Sequence, residues 1–388
     1  MKLRQKPEDF IVEEINDFEI SRHQGSYKLY LLEKRGIETF FLLSYLSKNN
    51  NIPLNELGIA GMKDKHAKTR QYMTVPSKYN IKTLNEQNMK ISFLGYVSKK
   101  LNLGDLKGNK FEITVRDLSG RDIEGIEAKA KSLESFGVPN YFDSQRFGSV
   151  INHNFIARYA IKKNYEQAVK IYLTQFTRHE KQSIKQEKRL IEKNWESLRE
   201  LKVNSGSLRR IVGELKKTNN WLGAYKKIPF SLREMFNSAY QSYIWNECIK
   251  ELMREKLPKS KIFKVKYNAG TLLFYKELNE TEYSRLGKSF KTVCPEIKPS
   301  IAEKKALWKV LGREGISTDD FNIKNETGNF FAASEREVIL KPSQLKISHP
   351  ERDELNDKGK SRKFRITLFF SLPKGSYATL ITKGIFGR

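Results

Sequence analysis

An α+β fold interrupted by a largely helical insertion is what this sequence predicts, and three observations carry the prediction. The first part of the chain alternates strand and helix signatures. From about Asn154 to Lys227 it becomes Lys-rich and helical, and near the end it returns to clean strand alternation.

Tyr27, Leu29 and Leu31 alternate with Lys28 and Tyr30, which predicts a half-buried strand. Thr39 to Lys48 reads as helix. Leu57 and Ile59 suggest a strand ending at Gly61, a residue that permits an unusual turn. Phe111, Ile113 and Val115 alternate with Glu112, Thr114 and Arg116. Ile123, Ile126, Ala130, Leu133 and Phe136 recur at helical spacing, and Gly137 followed by Pro139 supplies a stop. In the insertion, Leu190, Ile191, Trp195, Leu198 and Leu201 fall on one stripe, and a long helix is expected from Ser231 to Glu255. Val265 to Lys341 mixes short strands and helices, with Asn322 to Asn329 reading as loop. Phe364, Ile366, Leu368, Phe370 and Leu372 then share one strand face.

Lys and Arg number 72 against 45 Asp and Glu in 388 residues, a net charge of +27. An excess of that size attracts polyanions: RNA, DNA or an anionic membrane surface. The longest apolar run, Glu38 to Leu46, is too short to span a bilayer, and Met1-Lys-Leu-Arg-Gln-Lys lacks a signal peptide's apolar segment. Nucleic acid is therefore the expected partner. Cys248 and Cys294 form no spacing motif, which fits a reducing cytoplasm. His23, His66, His153, His179 and His349 are scattered, so no protein-held metal is expected.

Four segments carry chemistry. In Gly61-Met-Lys-Asp-Lys-His-Ala-Lys-Thr-Arg-Gln71 a single acid, Asp64, sits among Lys63, Lys65, Lys68 and Arg70. Nearby cations favour its ionised form and attract phosphates. On its own the stretch also reads as a solvated basic turn with one surface salt bridge. Val138 to Gly148 sets Tyr141, Phe142 and Phe147 beside Asn140, Gln145 and Arg146. Aromatic faces stack on unpaired bases and amides read base edges; a core-facing strand with polar ends is the plain alternative. Asn237 to Asn246 places Ala239, Tyr243 and Asn246 at helical spacing, which reads as packing. Phe370 to Thr379 reads as a strand, a Pro/Gly turn and a second strand.

Together with Lys6-Pro-Glu-Asp-Phe-Ile-Val-Glu-Glu14, these segments closely resemble the tRNA pseudouridine synthase D (TruD) family. Its GxKDxxAxTxQ pattern is met at Gly61, Lys63, Asp64, Ala67, Thr69 and Gln71. NYFxxQRFG is met by Asn140 through Gly148, and FxLPxGSYAT by Phe370 through Thr379. Two departures stand out. Asp143 replaces a usual Gly, where a left-handed turn would be tolerated by Asp. The tail after Thr379 is short and lacks the family's Arg-Glu-Leu.

The resemblance implies the pseudouridine synthase fold, a mixed, mainly antiparallel sheet flanked by helices. Residues 1–153 and 342–388 would form the catalytic domain and 154–341 the insertion domain. It implies a cofactor-free tRNA pseudouridine synthase, with Asp64 as nucleophile and uridine 13 of the tRNA D-arm as target. Lys63 or another nearby cation would keep Asp64 ionised. Phe10, Asn140 and Tyr377 would lie at the base pocket, Phe142 would be a further stacking residue, and Arg4 would stand near the active site. A noncatalytic structured-RNA-binding protein shares the charge and the aromatics and is the alternative. The expected protein is a cytoplasmic monomer with tRNA as partner, and without membrane or protein partners.

Overall fold

The alternating patterns at the two ends of the chain belong to one sheet. The computed structural model describes residues 1–387 other than 83, 178, 179 and 360, which leaves His179 outside the described residues. The chain divides into two compact units, Met1–Val138 with Leu340–Phe386, and Pro139–Ile339.

Among the described residues the first unit carries a ten-stranded sheet. Its strands are β1 (Phe10–Ile15), β2 (Tyr27–Arg35), β3 (Gly58–Ile59), β4 (Lys68–Pro76), β5 (Leu84–Glu86), β6 (Met89–Val97) and β7 (Gly108–Leu118). The C-terminal segment adds β8 (Ser343–Ile347), β9 (Glu351–Arg352) and β10 (Phe364–Pro373). The order is β8-β10-β7-β1-β4-β2-β6-β5, with β3 on β4 and β9 on β10. Only β1 and β4 run parallel; the other described pairs are antiparallel. The ends of the chain meet where β10 lies along β7, Phe370 opposite Phe111 and Leu368 opposite Ile113. Ile366, Leu368, Phe370 and Leu372 are buried, as their alternation predicts.

β2 departs from its predicted half-burial. Leu29, Tyr30, Leu31 and Leu32 are all buried, because β2 is a central strand covered on both faces. Tyr30 and Leu32 pack under the helix Thr39–Asn49 with Leu42, Leu43 and Leu46, while Leu29 packs with Ala60, Val97 and Leu101. The segment from Ile123 to Phe136 is not one helix. It splits into Gly120–Ile123 and Ile126–Phe136 at Gly125, whose φ of 66° breaks the ladder, and it stops at Gly137 as predicted.

The second unit is mostly helical. Its long helix, Phe230–Lys256, packs against Ile301–Glu314 and buries Tyr240, Ile244 and Trp245. Two small antiparallel ribbons join it, Ile262–Tyr267 with Gly270–Tyr275 and Ser289–Lys291 with Glu335–Glu337. The predicted stripe from Leu190 to Leu201 is broken. The helix Gln182–Lys193 ends before Trp195, and Leu190 is exposed while Ile191 and Leu198 are buried. Asn322 to Asn329 holds a short helix, Lys324–Thr327, instead of a plain loop. Residues 139–153, expected with the first domain, group with the second unit. The cause is local: Tyr141 packs on Phe274, and Asn246 of the long helix hydrogen-bonds both the amide and the carbonyl of Phe142.

The turn after β10 leads into the helix Ala378–Phe386 and not into a second strand. Leu380, Ile381 and Ile385 are buried on one of its faces. Among the described residues no helix is long and apolar enough to cross a membrane.

Candidate active site

The loop between β3 and β4 holds Asp64, and its shape is set from underneath. Gly58 starts it: a Cβ there would stand 2.4 Å from the Thr74 hydroxyl and 2.6 Å from the Leu101 carbonyl, so only glycine lets β3 lie this close. Gly61, expected to make the unusual turn, has no left-handed backbone and no crowding. The loop is instead held by side chains. The Thr39 hydroxyl accepts from the Lys63 amide and donates to the Lys63 carbonyl, each at 3.1 Å. The Gln71 amide donates to the Gly61 carbonyl at 3.4 Å.

The Asp64 carboxylate is 22% exposed. One oxygen accepts from the His66 amide at 2.9 Å, and the other pairs with the Arg4 guanidinium at 2.9 Å. Arg4 has a left-handed backbone (φ 58°), and its guanidinium lies 4.1 Å from the centroid of the buried Phe10 ring. Its Nε has no hydrogen-bond partner. Phe10 therefore serves as the platform under Arg4, with its edge toward Phe111.

Lys63, expected beside Asp64, is turned away. Its ammonium pairs at 2.6 Å with the buried carboxylate of Glu14 on β1. The other Glu14 oxygen accepts from the Tyr72 amide at 2.8 Å. Such a pair is strong only while both partners remain, so Lys63 anchors the loop to the sheet and Arg4 supplies the charge at Asp64. Arg70 likewise pairs with Glu13 and Glu33. Tyr377 is half-buried, just before the helix Ala378–Phe386.

Asn140 and Phe142 belong to the second unit. The Asn140 side chain is engaged at both ends: its NH₂ donates to the Glu337 carbonyl at 3.1 Å, and its oxygen accepts from Arg336 at 2.6 Å. Arg336 lies 4.4 Å from the centroid of the half-buried Phe142 ring, whose edge meets Trp245. Arg146 is the second cation over that ring, at 5.4 Å. Asp143 is buried and extended (φ −101°), caps the short helix Ser144–Phe147, and needs no left-handed turn.

Two groups escaped sequence reasoning. Lys34, buried on β2, donates to the carbonyls of Lys63 and Asp64. Arg336 holds Asn140 from 196 residues away. Neither lies in a motif, and only the fold brings them to their partners. Among the described residues no group of three or more His, Cys, Asp or Glu is placed to hold a metal.

Comparison with known proteins gives the family of the chain. The sequence model of the tRNA pseudouridine synthase D (TruD) family matches residues 1–385. A Methanocaldococcus jannaschii protein named as a tRNA pseudouridine synthase D 2 is 47% identical, with 100% of this chain and 92% of that one aligned. The Aquifex aeolicus protein named tRNA pseudouridine synthase D is 30% identical over 100% of this chain and 98% of its own. The crystal structure described as a Methanosarcina mazei TruD superposes with a TM-score of 0.74 at 27% identity, covering 100% of this chain and 93% of that one. The chain belongs to the tRNA pseudouridine synthase D (TruD) family, isomerases that act on tRNA.

Proposed function

We propose that this chain converts uridine 13 of the tRNA D-arm to pseudouridine, with Asp64 as the nucleophile. The observation that supports this reading most is the Asp64 carboxylate itself, a part-exposed acid whose two oxygens are aimed by the His66 amide and the Arg4 guanidinium. Such an acid can attack or assist at the glycosidic carbon while its charge is held in place. The bond from ribose C1′ to uracil N1 breaks with its electron pair going to the base. The base turns, C5 bonds to C1′, C5 loses its proton and N1 gains one. The sum is an isomerisation with no net redox change. Arg4 would exchange the carboxylate for a backbone phosphate as RNA enters, leaving Asp64 free to react. The direct test is tritium release from tRNA carrying 5-tritiated uridine, together with mapping of the modified position.

Phosphate neutralisation should dominate affinity, given the net charge of +27. The observed tRNA association constant is expected to fall by about 0.9 log unit per log unit of salt for each duplex phosphate neutralised. Filter binding across a salt series measures that slope, and a flat response would remove the electrostatic part of the reading.

Phe142 is proposed as the stacking face for the flipped uracil, with Arg336 and Arg146 setting its ring. Since base stacking is worth about 1–3 kcal/mol, Phe142→Ala should slow a single turnover by about tenfold or more. The affinity for whole tRNA should change far less. Asn140→Ala should act more mildly, because it removes one hydrogen bond to Arg336 and leaves that guanidinium on the Asn140 and Tyr141 carbonyls. Wild-type turnover in Phe142→Ala would return this segment to a packing role.

A further inference from the structure

Lys34 is a buried cation that the chemistry above does not use. It lies on β2 at 2% exposure, opposite Thr69 of β4 and Met89 of β6. Its ammonium donates to three carbonyls, those of Ile37 (2.7 Å), Asp64 (3.1 Å) and Lys63 (3.4 Å). An ammonium has three N–H groups and no acceptor, so three carbonyls match it in full. The carboxylates of Asp64 and Glu38 act on it through space, and Lys63 opposes them. Its strand neighbours Thr69 and Met89 carry no charge. Removing an ammonium from water with only neutral oxygens in contact is costly, whereas a methionine would fill a similar volume without that cost.

We propose that Lys34 is a positioning residue for Asp64: its ammonium grips the Lys63 and Asp64 carbonyls from below, fixes where the Asp64 carboxylate stands, and does so only while charged. The inference rests on Asp64 being the nucleophile. Two further facts support it. The grip is on the backbone of the reacting residue itself, so a shift of the ammonium moves the carboxylate directly. A neutral amine has two N–H groups for three carbonyls, and its lone pair would face one of them.

Burial brings the pKa of Lys34 down to about 8, although Asp64 and Glu38 pull the other way. The positioned form is therefore lost as pH rises through about 8. Stability moves in the opposite sense. A lysine whose folded pKa lies below its ordinary 10.5 penalises the fold while charged, and the penalty is relieved between those two values. An alkaline loss of rate caused by Lys34 is thus not a loss of fold.

The test is single-turnover tritium release from tRNA between about pH 6.5 and 9.5, spanning the pKa of Lys34, with tRNA affinity measured on the same samples. The wild type should lose rate with a midpoint near pH 8. Lys34→Met should be about 10²-fold slower at neutral pH, the scale of a misplacement by about 1 Å, with its tRNA affinity little changed. Lys34→Arg keeps its charge through this range, so its remaining rate should lack the limb near pH 8. A Lys34→Met enzyme at wild-type speed would overturn the proposal. So would a wild type with no limb near pH 8, or a limb unchanged in Lys34→Arg, which would belong to the uracil. If Lys34→Met does not fold, the wild-type and Lys34→Arg profiles decide. Should Asp64→Asn be inactive while Lys34→Met runs at full speed, the positioning role alone fails. Should Asp64→Asn remain active, the nucleophile assignment fails.

Discussion

Asp64→Asn is expected to abolish pseudouridine formation, by about 10⁴-fold or more, the scale seen when a member of a covalent catalytic set is removed. The amide keeps the size of the carboxylate, and its oxygen can still accept from the His66 amide. Its NH₂ then faces the Arg4 guanidinium, where a carboxylate oxygen accepted at 2.9 Å. Arg4 is released to a phosphate, so tRNA affinity should be unchanged or slightly higher. Tritium release beside a binding titration separates the two effects. Near-normal release from folded Asp64→Asn protein would remove Asp64 as nucleophile. Two other cations of the Asp64 segment give a graded control. Lys65 and Lys68 are exposed, and their loss should weaken binding without stopping the reaction.

What the sequence made legible is what it carries locally. The Asp64 loop, the strand alternation from Phe364 to Leu372 and the long helix are written in contiguous residues. Contacts distant in sequence were not legible. Lys63 adjoins Asp64 in the chain, which makes it or another nearby cation the expected counter-ion. Its partner is Glu14, 49 residues earlier in the chain and brought beside it only by the fold. Asn140 is expected from the sequence at the base pocket, but Arg336 and the Glu337 carbonyl engage its side chain. The hairpin expected after Pro373 failed for a different reason. The β-branched residues among Leu380, Ile381, Thr382 and Ile385 favour strand locally, yet the segment is a helix with six of its nine residues buried, so packing overrides the local preference. The half-burial predicted for β2 fails because the apolar run Leu29 to Leu32, and not the alternation with Lys28, marks a strand covered on both sides.

The fold's own weak point is a second arginine, which ties both ends of the chain to β7. Arg116 donates to Asp9 at 2.8 Å and to Asp353 at 3.0 Å, and all three side chains are buried. The other Asp9 oxygen accepts from the Lys6 amide, which shapes the turn ahead of Phe10. The other Asp353 oxygen accepts from the Asp117 amide and from Asn356. Burial pushes the Asp353 carboxyl up, but those amides and Arg116 outweigh it and hold the group below its ordinary value of 3.8. Arg116→Met fills part of the space and leaves two buried carboxylates without their cation, at a cost of about 3–5 kcal/mol. For a unit of this size that is on the order of 10 °C in Tm. A depressed folded pKa contributes stability above the ordinary carboxylate range and loses it as pH falls through the folded value. The gap between wild type and variant should therefore be widest near neutrality and narrow below about pH 4. Adding Asp9→Asn to Arg116→Met should recover part of the loss, since an amide tolerates burial without a cation, and thermal melts of the four proteins close the cycle. Equal melting of wild type and Arg116→Met at neutral pH would show that the backbone amides alone satisfy both acids. Asp9 precedes Phe10, Phe10 carries Arg4, and Arg4 meets Asp64, so the same substitution should also slow the folded enzyme.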